Sequence, residues 1–241
     1  MIQQSKNFSP ANAPLFLSMR ASRIFFGLSA AAFGAVIVGL LVIKSIGGEI
    51  AHGGHSNSIA LHEIIIGNDV LSVTANMIRF PGQRVSGSSD RLDLYALWPL
   101  MNGYSNIHSD AFNAGKDREK IIFLSLEKRS MSRDMAGRVD RVYSQFFDGP
   151  AQPTAFGLMR QPLSVSSGLV DEDLYLEIDS PYPFATRCVR ETSAIGEPYC
   201  LRDIFMGRNL SLTYRFHISL LPEWASMERM VRKRIKLMLV N

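Results

Sequence analysis

The sequence predicts an α+β protein: one N-terminal transmembrane helix, then a mainly antiparallel β-sheet domain with two amphipathic helices. Three observations predict it. One uncharged run long enough to cross a bilayer lies at residues 24–43. Apolar and polar residues alternate with period two through much of the chain beyond that run, as in strands with one buried and one wetter face. The two stretches with helical spacing stand apart from the strands instead of alternating with them as βαβ units.

The first element is the run IFFGLSAAAFGAVIVGLLVI, 20 residues bounded by Arg23 and Lys44. At roughly 1.5 Å per residue such a helix is about 30 Å long, the thickness of the hydrocarbon core. A cleaved signal peptide is the rival reading, with a weak small-x-small site at Ser45-Ile46-Gly47. Its apolar region is normally shorter, roughly 7–15 residues. Residues 1–23 hold Lys6, Arg20 and Arg23 and no acid. The positive-inside rule therefore keeps this tail in the cytoplasm and sends the rest of the chain across the membrane, into the periplasm of a bacterium. Gly27, Ala31, Ala35 and Gly39 recur every fourth residue. Such a stripe lets a second helix approach closely, from another envelope protein or from a second copy, although Gly and Ala are also common in membrane helices at large.

Residues 44–58 (KSIGGEIAHGGHSNS) read as a flexible juxtamembrane linker, which leaves 59–241 as the periplasmic domain. Leu71, Val73, Ala75 and Met77 alternate with Ser72, Thr74 and Asn76. Leu210, Leu212, Tyr214, Phe216 and Ile218 alternate with Ser211, Thr213, Arg215, His217 and Ser219. Further strands are expected at 59–66, 91–98, 120–128, 155–160, 173–179, 184–191 and 198–205. Ser132 is placed to cap a helix running to about Phe147, with Met135, Val139, Val142, Tyr143 and Phe146 on one face and Gly149-Pro150 ending it. A second helix runs from near Pro222 almost to the C-terminus. Trp224, Met227, Val231, Ile235 and Met238 share one side of it, and Arg229, Arg232, Lys233 and Lys236 cluster on the other. Two readings remain for that basic side: a solvated face of a docked helix, or a contact for anionic lipid or an acidic partner.

The 241-residue chain is 46% hydrophobic and 20% charged, which excludes a disordered, collagen-like or disulfide-dense protein. A single apolar run excludes a multi-span transporter. The net charge of +4 resides on the anchor flank and the last helix: residues 45–222 hold 17 basic and 20 acidic side chains. No basic, aromatic-rich stripe marks that body, so nucleic acid is not an expected partner.

Cys188 and Cys200 flank Thr192-Ser193-Ala194-Ile195-Gly196, which reads as the tip of a hairpin. The two side chains can then face each other, and a disulfide is expected in an oxidising periplasm. His52, His55 and His62 lack the ligand frame of a metal site, and His62-Glu63 fails the His-Glu-x-x-His pattern because Ile66 stands in the fifth place. Ser125-Leu126-Glu127-Lys128 matches Ser-x-x-Lys, but on a strand residues three apart point to opposite faces. Asp171-Glu172-Asp173 lacks the alternating ligands of a calcium loop. These patterns supply no catalytic residue, no metal site and no cofactor.

Two stretches carry a resemblance. They are Ile66-Gly67-Asn68-Asp69 leading to Ala75-Asn76-Met77-Ile78-Arg79-Phe80, and Asp90-Arg91-Leu92-Asp93-Leu94-Tyr95 leading to Trp98-Pro99 and Gly103-Tyr104-Ser105. They resemble uncharacterised single-pass, membrane-anchored envelope proteins of alphaproteobacteria. The resemblance implies the bacterial compartment and brings no activity, cofactor or catalytic residue. Read physically, Arg79, Arg91, Asp93, Trp98 and Tyr104 gather at strand ends and form the candidate interaction set; Arg79 and Asp93 also suit an ordinary cross-strand ion pair. The expected function is binding, as an accessory or scaffold subunit of an envelope complex in the inner membrane. A tethered periplasmic enzyme acting on cell-wall or lipid substrates is the alternative.

Overall fold

The computed structural model describes residue 23, residues 26–40, and residues 53–240 apart from 179, 181 and 195. The chain divides into two compact units, Met1–Ile50 and Ala51–Asn241. In the first, residues 26–40 are helical, and Phe26, Leu28, Phe33, Val38 and Leu40 are exposed. Among the described residues no helix is long and apolar enough to cross a membrane. The ends of the expected span (24–25 and 41–43), the tail 1–22 and the linker residues 44–52 lie outside those described.

The second unit is a mixed α+β fold with two mainly antiparallel sheets. Its strands are β1 (Leu61–Ile66), β2 (Asp69–Thr74), β3 (Gly87–Ser88), β4 (Arg91–Leu97), β5 (Ile121–Lys128), β6 (Gln152–Pro153), β7 (Met159–Pro162), β8 (Glu172–Leu176), β9 (Ala185–Val189), β10 (Tyr199–Met206), β11 (Leu210–His217) and β12 (Leu239–Val240). The large sheet runs β4-β5-β11-β10-β9-β8-β7-β6 and the small one β12-β2-β1-β3. Every pairing among them is antiparallel except β1 with β3.

Period-two alternation sorts the faces of the large sheet. Leu92, Leu94 and Ala96 of β4, Ile122, Leu124 and Leu126 of β5, and Leu210, Leu212, Tyr214 and Phe216 of β11 face inward. Against them pack Ile64, Ile66, Leu71 and Val73 of the small sheet and Met227, Val231, Ile235 and Met238 of the C-terminal helix Trp224–Met238. The apolar side read from the sequence is therefore the buried one, with Trp224 half-buried at its start. Burying these side chains is the main drive for the layered arrangement, at roughly 1.5–3 kcal/mol for each large one.

The hairpin β9–β10 sets Cys188 opposite Cys200, and the two form a disulfide. In the three-residue connection of β10 to β11, Gly207 has φ +58, which a glycine takes without strain. The buried Asp69 carboxylate accepts the N–H groups of Arg208 (2.7 Å) and Asn209 (2.9 Å) there, joining the two sheets.

Three expectations need correction. The helix over 132–147 is reduced to one turn at Met135–Arg138 and a 3-10 turn at Tyr143–Phe146. Asp134, not Ser132, caps it, accepting from the N–H of Gly137 at 3.1 Å. Gly137 and the β-branched Val139 and Val142 weaken a helix here, while Met135 and Tyr143 are drawn onto the sheet beside Leu163 and Leu174. The alternation through Ala75 and Met77 ends in a 3-10 turn at Ala75–Met77, although both side chains stay buried. The strand expected at 155–160 lies at Met159–Pro162 instead.

Candidate functional site

The outer face of the large sheet is covered in two places. Over β4 and the start of β5, Tyr95, Leu97 and Ile121 lie beneath Tyr104, Ala111 and Phe112. Over β8 and β9, Leu174 and Ala185 lie beneath Met135 and Tyr143. Between the covers, a strip of β5, β11 and β10 stays open. It carries a groove of about 450 Å³ lined by Arg79, Phe123, Tyr199 and Arg215 among others. A second depression of about 230 Å³ shares Arg79, Phe123 and Arg215 and reaches Asp93 and Ser125.

The groove is built around one ring. Phe123 is in register with Tyr95 on one side and Arg215 on the other. The Arg79 Cζ lies 4.7 Å from its centroid and the Arg215 Cζ 5.0 Å. Arg79 also lies over Phe80 and Arg215 over Tyr199. Each contact is worth about 0.5–1 kcal/mol at an exposed site. Neither guanidinium reaches a carboxylate among the described residues, whereas Arg138, Arg160, Arg187, Arg190 and Arg202 of the same domain each do. Burial, with the neighbouring Arg215 behind it, pulls the Arg79 pKa below the ordinary arginine value.

Nearby Asp93 is already satisfied. Arg91 donates to both its oxygens through Nε (3.0 Å) and to Oδ1 through a second nitrogen at 2.9 Å. The Gln83 side chain donates to Oδ2 and accepts the Asp93 N–H. Burial disfavours the charged carboxylate, but these donors outweigh it and leave the pKa below the usual value. The expected Arg79–Asp93 ion pair is replaced by the Arg91–Asp93 pair; Arg79 meets Asp93 through its backbone N–H to the Asp93 carbonyl, 2.9 Å.

Of the five residues in the candidate set, Arg79, Arg91 and Asp93 therefore meet around the groove, and Trp98 and Tyr104 do not. Trp98 is 6% exposed and donates its indole N–H to Glu223 at 3.2 Å. Tyr104 is 2% exposed and stacks on His55 at 4.8 Å. His55 also meets the Tyr95 hydroxyl at 3.0 Å and the edge of Phe112, so this part of the stretch expected to be a linker is packed on the body. Burial first, with Arg84 and Arg79 adding to it, pulls the His55 pKa below its usual value. Burial pushes Tyr95 up to about 12.

Away from Arg79, Arg91 and Asp93, the two resemblance-bearing stretches brace each other. The Tyr104 N–H donates to the Asn76 carbonyl at 2.8 Å, and the Asn76 amide returns a bond to the Tyr104 carbonyl at 3.1 Å. A Cβ at Gly103 would stand 2.3 Å from that Asn76 oxygen. Of the basic helix side, Arg229, Lys233 and Lys236 are exposed, while Arg232 turns inward to Glu228 at 2.7 Å. Gly27, Ala31, Ala35 and Gly39 lie along the helix of residues 26–40. Among the described residues no group of His, Cys, Asp and Glu could hold a metal ion. His217, at the groove, accepts the N–H of Ser219 at Nδ1 and bonds its hydroxyl at 2.8 Å, which is the geometry of a local cap.

Phe123, Tyr199 and Arg215 escaped the sequence reading. Their signal was phase: each occupies an outward place in an alternating strand, where a large aromatic ring or an unpaired arginine is unusual.

No protein-family model matches the chain, and no curated protein does. The fold is similar to that of an immunity protein of the Stenotrophomonas maltophilia type IV secretion system, with TM-score 0.54 and 16% identity over 78% of this chain and 96% of that one. An iron-regulated outer membrane lipoprotein of Neisseria meningitidis aligns at TM-score 0.49 and 9% identity, over 76% of this chain and 94% of that one. At such identities the first likeness is one of fold.

Proposed function

We propose that this chain is an accessory protein of the bacterial cell envelope, held in the inner membrane by residues 24–43, whose periplasmic domain binds a protein partner on the open strip of its large sheet. The observation that carries the reading is the pair Arg79 and Arg215, both over Phe123 and both without a carboxylate among the described residues. Arginine and exposed aromatic rings are the residue types that anchor protein interfaces. The exposed apolar surface of residues 26–40 suits a bilayer or a neighbouring helix, and the Cys188–Cys200 disulfide suits an oxidising compartment.

The test is affinity capture of the full-length chain from mild detergent, read by mass spectrometry, beside an Arg79→Ala/Arg215→Ala variant and a variant with poly-Leu in place of residues 24–43. The expected result is a stoichiometric partner on the parent chain that the groove variant releases. A partner released only by the poly-Leu variant moves the function to the Gly27, Ala31, Ala35 and Gly39 stripe. No stoichiometric partner on the parent chain overturns the reading and makes substrate screening for a tethered enzyme the next step.

A further inference from the structure

We infer that the groove recognises an acidic segment of its partner in extended conformation, with carboxylates two residues apart seated on Arg79 and Arg215. This rests on the partner-binding reading above and adds the chemistry of the contact.

Charge points to an anion. Residues 45–222 carry more acidic than basic side chains, yet the groove sets two carboxylate-free guanidiniums against one ring. The nearby charges are otherwise engaged: Arg118 pairs with Glu197 at 3.0 Å on the rim, and Arg91 with Asp93. Of the two exposed carboxylates in the lining, Glu197 has Arg118 as its partner and Glu119 makes no ion pair among the described residues. A guanidinium over a ring keeps its planar fork of N–H donors free, and that fork matches a carboxylate bidentately.

Geometry points to an extended segment. Both Cζ atoms lie within 5.0 Å of one centroid. Same-side residues of an extended chain recur roughly every 7 Å, so neighbouring same-side carboxylates can each meet one fork. The groove is also lined by Pro198 and Tyr199, both partly exposed, against which apolar flanking side chains can pack. A lone phosphate would leave that apolar wall unused.

The experiment uses the full-length chain in nonionic detergent and a fluorescein-labelled, end-capped pentapeptide alternating Glu and Val, with its Gln–Val twin as control, read by fluorescence anisotropy. The acidic peptide is expected to bind saturably at low salt and to weaken as NaCl is raised. Affinity should fall at least about tenfold in Arg79→Ala/Arg215→Ala and stay unchanged in Arg129→Ala, whose guanidinium lies over Phe205 outside the groove. Arg79→Lys/Arg215→Lys keeps the charge without the fork and should bind more weakly than the parent chain, which separates recognition from a folding defect. Equal binding of the Gln–Val peptide, or equal binding to the Ala and parent chains, overturns the inference. Displacement of the acidic peptide by inorganic phosphate at lower concentration than by unlabelled peptide also overturns it, in favour of a phosphate site. If these fail while the captured partner still depends on Arg79 and Arg215, the partner reading stands and only the acidic segment falls.

Discussion

Glu228 ties the C-terminal helix to the large sheet, and replacing it by Gln is the most informative test of the architecture. One of its oxygens accepts from Arg202 at 3.0 Å and from Arg232 at 2.7 Å; the other accepts from Arg202 at 3.1 Å and from the Tyr214 hydroxyl. The Arg202 side chain is 3% exposed and gives a further donor to the Ala185 carbonyl at 2.7 Å. Glu228→Gln preserves the shape, sets an amide N–H₂ against a donor and leaves Arg202 buried without an anion. Breaking a buried pair this way costs about 3–5 kcal/mol, a large share of a stability that is typically about 5–15 kcal/mol. For a domain of this size it corresponds to a fall in Tm of about 6–20 °C. The assay is thermal unfolding of the full chain followed by near-UV circular dichroism. Replacing both partners, as Arg202→Met with Glu228→Leu, should cost less than Glu228→Gln alone. The pH dependence has a definite sign. Burial opposes the charge on Glu228, but Arg202, Arg232 and Tyr214 outweigh it and leave the folded-state pKa below the usual carboxylate value. The stabilisation is then complete above the unfolded-state pKa and lost as pH falls through the folded one, so the gap between parent and variant should close in acid. A loss below about 1 kcal/mol at neutral pH, or a gap that persists into acid, would refute the reasoning.

Other predictions concern single contacts. Gly103→Ala drives a methyl against the Asn76 carbonyl and should cost about 1–3 kcal/mol in urea unfolding, whereas Gly82→Ala, with open space around it, should be neutral within about 0.5 kcal/mol. Reducing Cys188–Cys200, separated by 12 residues, should remove about 3 kcal/mol in the chain-entropy account, seen as a lower unfolding midpoint in dithiothreitol. His55 has a folded pKa below the usual histidine value because it is buried, so the docked segment binds fewer protons than the released one. As pH falls below the ordinary histidine range, the protection factors of the amides at residues 53–58, corrected for intrinsic exchange, should fall; His55→Phe should abolish that pH dependence.

The parts of the fold legible in the sequence are those set by local periodicity. β11 was readable because Leu210, Leu212, Tyr214 and Phe216 alternate without a break and all face the same core. The C-terminal helix was readable because one side is apolar at helical spacing and packs as such. The disulfide followed from two cysteines placed evenly about a turn. The segment over residues 132–147 misled for a physical reason: Met135, Val139, Tyr143 and Phe146 do share one apolar cluster, but a chain that bends over the sheet reaches it without a continuous helix. The candidate site was half legible. Arg79 and Asp93 stood out as charges among apolar neighbours, yet their supposed pairing went to Arg91, two residues from Asp93 on the same strand. Phe123 and Arg215 are 92 positions apart in sequence and meet only because β5 pairs with β11. No local pattern encodes which strands become neighbours.

The strand β12 has a consequence for how the chain is made. Leu239 and Val240 pair with Leu71 and Val70, so the small sheet is finished by residues synthesised long after β2. The hairpin β1–β2 emerges early with Ile64, Ile66, Leu71 and Val73 uncovered, and Met227, Val231, Ile235 and Met238 are part of what covers them. Contacts so distant in sequence form late, because the intervening chain must first be drawn together. A nascent chain therefore shows an unshielded greasy hairpin to its surroundings until residues 224–240 have been made, and that interval is where a holdase would act on it.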